Sequence, residues 1–408
     1  MRQDFAGWAM RAALFFMVLN LSAVAAAYEE TEGIRFGFFS VHPSVYSALR
    51  YNDNIYFVAD DFTPTGPGEV PQQKETDLVV NLQPAVAMRI KTPRLNLEAG
   101  YRFYNDHYLG YDDPDDRHAK LDSSNHTFNG LMKYEAPVGL FMSVDDTFVD
   151  QQAFEESEDY IDQIRGDQQH NEAHGVMGLK RGPENNFYLA GGYTLIDDRY
   201  EKVDDYDRQA WSADGDLRLK FLPRTALLFL GGYGEVSYPN LEGFDSNMTY
   251  YMGGFGGQIT NVIHLRLMGG FQQNEYMEEE SFEGPVGLGE ISAIWGSETN
   301  ITLGVRRRIL DSSTTNYYTS DEVFLRFYRL WFQRLTTEGF ASYQSNEFSE
   351  PFAHTENFVQ FKFDAMLRMI FWMHVGGGYQ YDGVDFKDDV ASTTTTRNVL
   401  LGQIMAKF

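Results

Sequence analysis

The sequence has 408 residues, with 59 acidic side chains against 33 basic ones for a formal net charge of -26, 15% aromatic residues and no cysteine. An acid surplus of this size excludes nucleic acid as a partner, because a polyanion is repelled by it. The missing cysteine excludes a small disulfide-stapled scaffold.

The N-terminus, "MRQDFAGWAMRAALFFMVLNLSAVAAAYEE", places Arg2 and Arg11 before an apolar run from Ala12 to Leu21 that ends in Ala25, Ala26 and Ala27. A charged head, a short apolar middle and small residues at a cleavage point form the pattern of an export leader. Residues 1–27 are therefore expected to be removed, 28–40 to form a short periplasmic segment, and 41–408 a single domain. No later stretch has the run of about twenty apolar residues that a membrane helix needs. A membrane location for the mature chain requires strands.

From residue 41 onward the chain alternates apolar and polar residues in segments rich in Tyr, Phe, Val and Thr. The expected strands are 41–57, 76–91, 94–108, 126–136, 140–150, 169–181, 186–198, 208–221, 225–238, 248–259, 262–276, 285–296, 300–311, 317–328, 333–345, 355–368, 371–384 and 395–408. Short connections such as "KTPR" (91–94), "APVG" (136–139), "GPEN" (182–185) and "LPR" (222–224) alternate with long acidic ones such as 58–75, 110–124, 151–168 and 277–284. Segregated connection lengths are expected of a transmembrane antiparallel β-barrel and have no cause in a soluble sandwich. The predicted fold is all-β, a barrel of about eighteen strands in the bacterial outer membrane, with short periplasmic turns and long extracellular loops.

Faces follow from period two. In "RQAWSADGDLRLKF", Trp211, Ala213, Gly215, Leu217, Leu219 and Phe221 share one face, and Asp214, Asp216, Arg218 and Lys220 the other. A charge facing lipid at mid-depth costs about 2–4 kcal/mol, so the charged face is expected to line the lumen. The candidate pore-lining residues are Arg89, Arg102, Arg218, Lys220, Arg266, Arg306, Arg308, Arg334 and Lys362, with Glu98, Asp214, Asp216, Glu338 and Asp364. Arginine forks suit carboxylate, sulfate or phosphate groups, which points to an acidic polymer or another anion as cargo. The bland alternative is that each base is neutralised by an acid across the strand gap.

Other features read plainly. The glycine-rich "LAGGYTL", "FLGGYGE", "MGGFGGQ" and "HVGGGYQ" sit mid-strand with no helix after them, so they serve packing and not phosphate binding. Asp112, Asp113, Asp115, Asp116 and Glu278, Glu279, Glu280 lack the ligand spacing of a calcium loop and read as solvated loop charge, with diffuse Ca²⁺ association as the alternative. His264 and His374 face inward on their strands, but no nucleophile elbow or metalloprotease helix accompanies them. The chain reads as a non-enzyme with no catalytic residue, no cofactor and no resident metal.

The last strand, "NVLLGQIMAKF", alternates Leu400, Gly402, Ile404, Ala406 and Phe408. It is expected to close the barrel against the first strand and to engage barrel assembly machinery through Phe408, although Gln403, with Gly402 beside it, departs from the usual glycine five residues before the terminal aromatic.

The opening "YSALRYNDNIYF" followed by "TDLVVNLQPAVAMRIKTPRLNLEAGYRFYNDHY" resembles the start of the beta-barrel porin 2 family. The resemblance implies an outer-membrane barrel working with an exopolysaccharide secretion complex, hence an acidic polysaccharide as cargo and a periplasmic polysaccharide-export protein as partner beside outer-membrane lipid and lipopolysaccharide. The competing functional classes are a general porin and a surface-interaction barrel with a plugged lumen and loops that bind cations or lipopolysaccharide.

Overall fold

The computed structural model describes residues 33–55, 74–110, 121–155, 164–182, 186–200, 207–240, 243, 245–276, 281–311, 317–349, 353–387 and 392–408. The expected leader and the acidic clusters at 112–116 and 278–280 lie outside the described residues.

The strands are β1 (Ile34–Phe36), β2 (Phe39–Asn52), β3 (Asp77–Lys91), β4 (Leu95–Tyr108), β5 (Ser123–Glu135), β6 (Leu140–Glu155), β7 (Ile164–Arg181), β8 (Phe187–Tyr200), β9 (Arg208–Leu222) and β10 (Thr225–Ser237). They continue as β11 (Ser246–Gln258), β12 (Ile263–Tyr276), β13 (Phe282–Trp295), β14 (Thr299–Asp311), β15 (Tyr317–Trp331), β16 (Leu335–Phe348), β17 (Thr355–Ile370), β18 (Met373–Lys387) and β19 (Ser392–Lys407). Each strand from β2 onward pairs antiparallel with the next, and β19 pairs back onto β2 from Val399↔Asn52 to Lys407↔Ser44. The result is the expected closed barrel, of 18 strands, plus the short β1 folded onto the start of β2 through Ile34↔Val41. Closure removes the two free edges that an open sheet would present to an apolar solvent.

Register fixes the faces, because paired residues share a side. Leu49↔Val80 on β2–β3, Phe229↔Leu217 on β9–β10 and Leu400↔Tyr51 at the seam all belong to one parity. Its side chains, among them Leu189, Phe229, Tyr251, Leu267, Leu303, Phe361 and Leu400, are exposed. An exposed apolar band around an entire barrel has a natural solvent in lipid tails. Aromatic pairs cross the strands on this wall, with Trp211 lying 6.0 Å from Tyr193 and 5.5 Å from Tyr233 between ring centroids. At the short-turn rim, Phe38, Phe332, Phe371 and Phe408 stand out from the wall. The Phe408 ring stacks on Trp372 at 5.4 Å, and its backbone amide donates to the Pro43 carbonyl at 3.0 Å. Asp146 is an exception to the apolar parity, as it pairs with Gly130 and Ala173 on the outward face.

The glycines of the wall permit close approach. A side chain at Gly254 would sit against the Leu267 carbonyl oxygen, and one at Gly304 would fall inside the Phe324 ring that lies across it. These contacts explain the mid-strand glycine pairs as packing devices.

The outer face yields a direct expectation. Phe229→Arg puts a guanidinium five residues above the turn on the lipid side, and unfolding of the barrel reconstituted in vesicles should become easier by about 2–4 kcal/mol. Leu228→Arg, one residue away on the inner face, should cost clearly less. Equal costs would remove the assignment of the two faces.

Candidate functional site

The candidate site is the inner wall. Every predicted pore-lining residue except Arg334 lies on a strand with inward parity. Arg334 lies in the β15–β16 turn, where Phe332 (φ 52°) and Gln333 (φ 57°) reverse the chain. Its amide donates to the Trp331 carbonyl at 3.0 Å. Two consecutive left-handed residues followed by Arg334 make a three-residue hairpin loop between Trp331 and Leu335, here without the glycine or asparagine that usually marks left-handed backbone in a sequence. The expected strand 333–345 accordingly begins later, at Leu335.

The structure brings many of these charges together in pairs. Arg89 donates to both carboxylate oxygens of Glu98 across β3–β4, at 2.9 and 3.2 Å. Arg218 binds Asp216 on its own strand, with Nε 2.9 Å from Oδ2. Arg306 grips Glu322, with Nε 2.9 Å from Oε2, and Arg308 approaches the same oxygen at 3.8 Å. Lys362 lies 3.7 Å from Asp364, which stands directly across from Glu338 in the register. These lumen bases are held by acids. Arg266 differs: its Nη2 rests 3.4 Å from the Met268 sulfur, and no carboxylate among the described residues lies within ion-pair distance.

Sequence reasoning missed a polar network at the long-loop end of the lumen. Arg50 on β2 forms an ion pair with Asp106 on β4, and that carboxylate also accepts from Asn81 at 2.8 Å and Tyr104 at 2.7 Å. Next to the seam, Arg397 binds Asp382 at 2.8 Å, while Asp53 accepts from both the backbone and the side chain of Asn398 at 2.6 and 2.7 Å. The period-two pattern carries the signal, since Arg50 and Asp106 occupy the polar parity of their strands; only three-dimensional pairing shows that they meet.

On the opposite side the wall itself folds inward. Pairing of β13 with β14 stops at Gly287↔Arg307, yet β12–β13 pairing runs on to Asn274↔Phe282 and β14–β15 pairing to Asp311↔Tyr317. The freed tip of β14 and β15 lies across the inner face of β11 and β12. Asp311 accepts from Ser246 at 2.9 Å, Asn274 at 3.3 Å and Tyr276 at 3.4 Å, and Gln272 donates to the Ile309 carbonyl at 2.9 Å. Ile309 is buried in spite of its outward parity, and Asn274, Ser320 and Asn346 have no exposed surface. Burying so many polar groups is tolerable only because most of them find partners. The mouth is narrowed by chain as well as by side chains.

His264 and His374 both face inward by register. Among the described residues no group of three or more His, Cys, Asp or Glu is gathered as a metal site.

These features define a closed antiparallel β-barrel of the outer-membrane kind, with an apolar outer wall and an ion-paired polar lumen. No family model matches the chain, and no curated protein does. Among solved structures it is similar to the siderophore receptor PirA from Pseudomonas aeruginosa, at 8% identity over 93% of this chain and 81% of that one, with a TM-score of 0.44. A ferric enterobactin receptor, PfeA from Pseudomonas aeruginosa, matches at 7% identity, 90% and 80% coverage and a TM-score of 0.46. The alcaligin outer membrane receptor FauA from Bordetella pertussis matches at 10% identity, 93% and 77% coverage and a TM-score of 0.39. The assignment of the barrel class stands on the chain's own register and faces.

Proposed function

We propose that the protein is an outer-membrane channel that gives an exported exopolysaccharide its passage to the cell exterior, in company with a periplasmic polysaccharide-export protein. The observation that carries this reading is the inner wall, where guanidinium, carboxylate and amide groups face a lumen bounded by 18 strands. Such a surface hydrogen-bonds to hydroxyl-rich chains and replaces their water at little cost. The resemblance of the first hairpins to the beta-barrel porin 2 family supports the same reading. Deletion of the gene should abolish or sharply reduce secreted polysaccharide while leaving the cell-associated precursor in place. Unchanged secretion would sink the proposal.

Orientation follows from the connections, with the long acidic loops outside, where divalent cations bridge them to lipopolysaccharide phosphates, and the short turns in the periplasm. Cysteine placed at Pro137 or Pro223 should resist a membrane-impermeant label on intact cells, whereas cysteine at Asp113 or Glu279 should accept it.

The inward-folded tip of β14 and β15 favours a second reading, a barrel closed at its mouth that acts through its surface loops. Planar bilayers separate the two. A channel conducts, and Arg266→Glu, which reverses a lumen cation lacking a carboxylate partner among the described residues, should move its reversal potential toward cation preference. A closed surface barrel gives no steps of current in either form.

A further inference from the structure

Asp146 places a carboxylate on the apolar wall. It is exposed, and it lies six residues along β6 from Leu140. At about 3.3 Å per residue and a strand tilt of about 40°, the carboxylate stands roughly 15 Å above the short-turn rim, near the middle of an apolar band about 25 Å tall. An ionisable group facing outward at that depth is unfavourable in hydrocarbon unless another group in the membrane answers it.

The wall around the acid is cut low. Its register row runs Met88↔Ala99, Ala99↔Gly130, Gly130↔Asp146 and Asp146↔Ala173, so the two positions flanking the acid carry only a hydrogen and a methyl group. A side chain added at Gly130 would meet nothing within 4 Å. The missing bulk leaves a hollow of about 450 Å³ on the outer face, lined by Met88, Leu97, Ala99, Met132, Val144 and Asp146. One polar neighbour shares this face: the Asn171 amide, with its nitrogen toward the acid, donates to Asp146 Oδ1 and to the Thr147 carbonyl, both at 3.3 Å. No base among the described residues pairs with Asp146. An amide hydrogen bond leaves the negative charge in place.

Charge and shape together select what completes the site. An apolar hollow that ends in a carboxylate matches a side chain with an apolar stem and a cationic head, which is lysine or arginine. Lipid tails carry no cation, and lipid headgroups lie at the membrane surface and not at mid-depth. A second copy of this chain offers a poor match, since outward bases such as Arg199 and Arg307 are already held by Asp197 at 2.8 Å and Asp321 at 3.6 Å.

We propose that Asp146 and the hollow beside it, floored by Ala99 and Gly130, dock a membrane-embedded segment of a different protein that presents one lysine or arginine from an apolar face. This docking site is independent of the cargo reading, because it lies on the other side of the wall from the lumen.

The test uses the full-length barrel folded in phosphatidylcholine vesicles and labelled with an acceptor dye at a cysteine introduced at Pro223, in a chain that has no other. The probe is a synthetic leucine–alanine transmembrane helix that carries a donor dye and one lysine at its centre; the comparison helix has leucine there. Energy transfer should saturate with the lysine helix, at an affinity about tenfold above that of the leucine helix. Asp146→Leu should bring the lysine helix down to the level of the leucine helix. Gly130→Leu, which fills the hollow and keeps the acid, should also weaken binding. Asp145→Asn, on the lumen side of the same strand, should bind as the parent does. Folding of each variant is checked by its heat-dependent shift in gel mobility; if Asp146→Leu does not fold, Asp146→Asn, which removes the charge at nearly constant shape, carries the comparison. Equal binding of the two helices, a lysine preference that survives loss of the Asp146 charge, undiminished binding to Gly130→Leu, or equal weakening in Asp145→Asn each overturns the proposal. So does saturable energy transfer between two labelled populations of the barrel that Asp146→Leu abolishes, which makes a second copy the occupant. Lysine-helix binding that persists where gene deletion leaves secretion unchanged overturns the channel reading and leaves the docking site standing.

Discussion

A chain cut after Arg397, lacking residues 398–408, should form no closed barrel. The nine register pairs of the β19–β2 seam, Val399↔Asn52 to Lys407↔Ser44, all fall within the missing segment. Each backbone group left unpaired in hydrocarbon costs several kcal/mol, so the open seam is unfavourable by an amount on the order of tens of kcal/mol. No packing adjustment elsewhere offsets a term of that size. The measurement is heat modifiability: the parent protein should run as a compact band unless boiled, and the truncated chain should show one mobility at any temperature. A retained compact band would mean that another pair of strands closes the wall.

The second large effect is expected at Glu322. Its side chain is almost fully buried, at 1% exposure, and it holds Arg306 and Arg308, each about a quarter exposed. Glu322→Ala leaves two adjacent guanidinium groups without their counter-charge. Breaking a buried pair by removing one partner costs about 3–5 kcal/mol, and the partial exposure of the arginines places the expected loss near about 3 kcal/mol. Glu322→Gln keeps an acceptor and should lose less. Replacing all three together, by Arg306→Met, Arg308→Met and Glu322→Leu, should recover most of the loss, because a well-packed apolar set needs no compensation. Urea unfolding in vesicles reads all of these, and a Glu322→Ala midpoint equal to the parent's would show the cluster to be solvated. The cluster pairs Arg306 and Arg308 with an acid across the strand gap, the alternative that the sequence leaves open beside a role in selectivity.

What the sequence discloses about this barrel is what a two-residue period can encode. The apolar parity from Trp211 to Phe221 and the polar parity of Asp214, Asp216, Arg218 and Lys220 place themselves, because lipid and water lie on opposite sides of a single layer. The terminal alternation through Phe408 likewise marks a strand and not a frayed tail. Turns are less legible: Phe332 and Gln333 adopt left-handed backbone without the residues that advertise it, so Arg334 reads as wall when it is turn. Partners are the least legible of all. Glu322 meets Arg306, and Asp106 meets Arg50, only after register is set by pairing along whole strands. The bend that brings Asp311 onto β11 and β12 breaks the two-residue rule locally, which is why Ile309 is buried on the outward parity.

The seam has a further consequence, for the order of events in time. Alternate pairs of neighbouring strands are joined by a short turn, as at Trp331 and Arg334, and such hairpins form in about 1–10 μs. Tyr46 and Gln403, which bond across the seam, are 357 residues apart. Bringing ends so distant together carries a loop-closure cost of about 5 kcal/mol when nothing between them is yet ordered. The favourable sequence is therefore hairpin upon hairpin first, which shortens the effective loop, and the seam last. Until that final step β2 and β19 each present a bare edge, the geometry on which chains pair with the wrong molecule. Folding yield should fall with protein concentration, and the lifetime of the unsealed sheet sets how steeply.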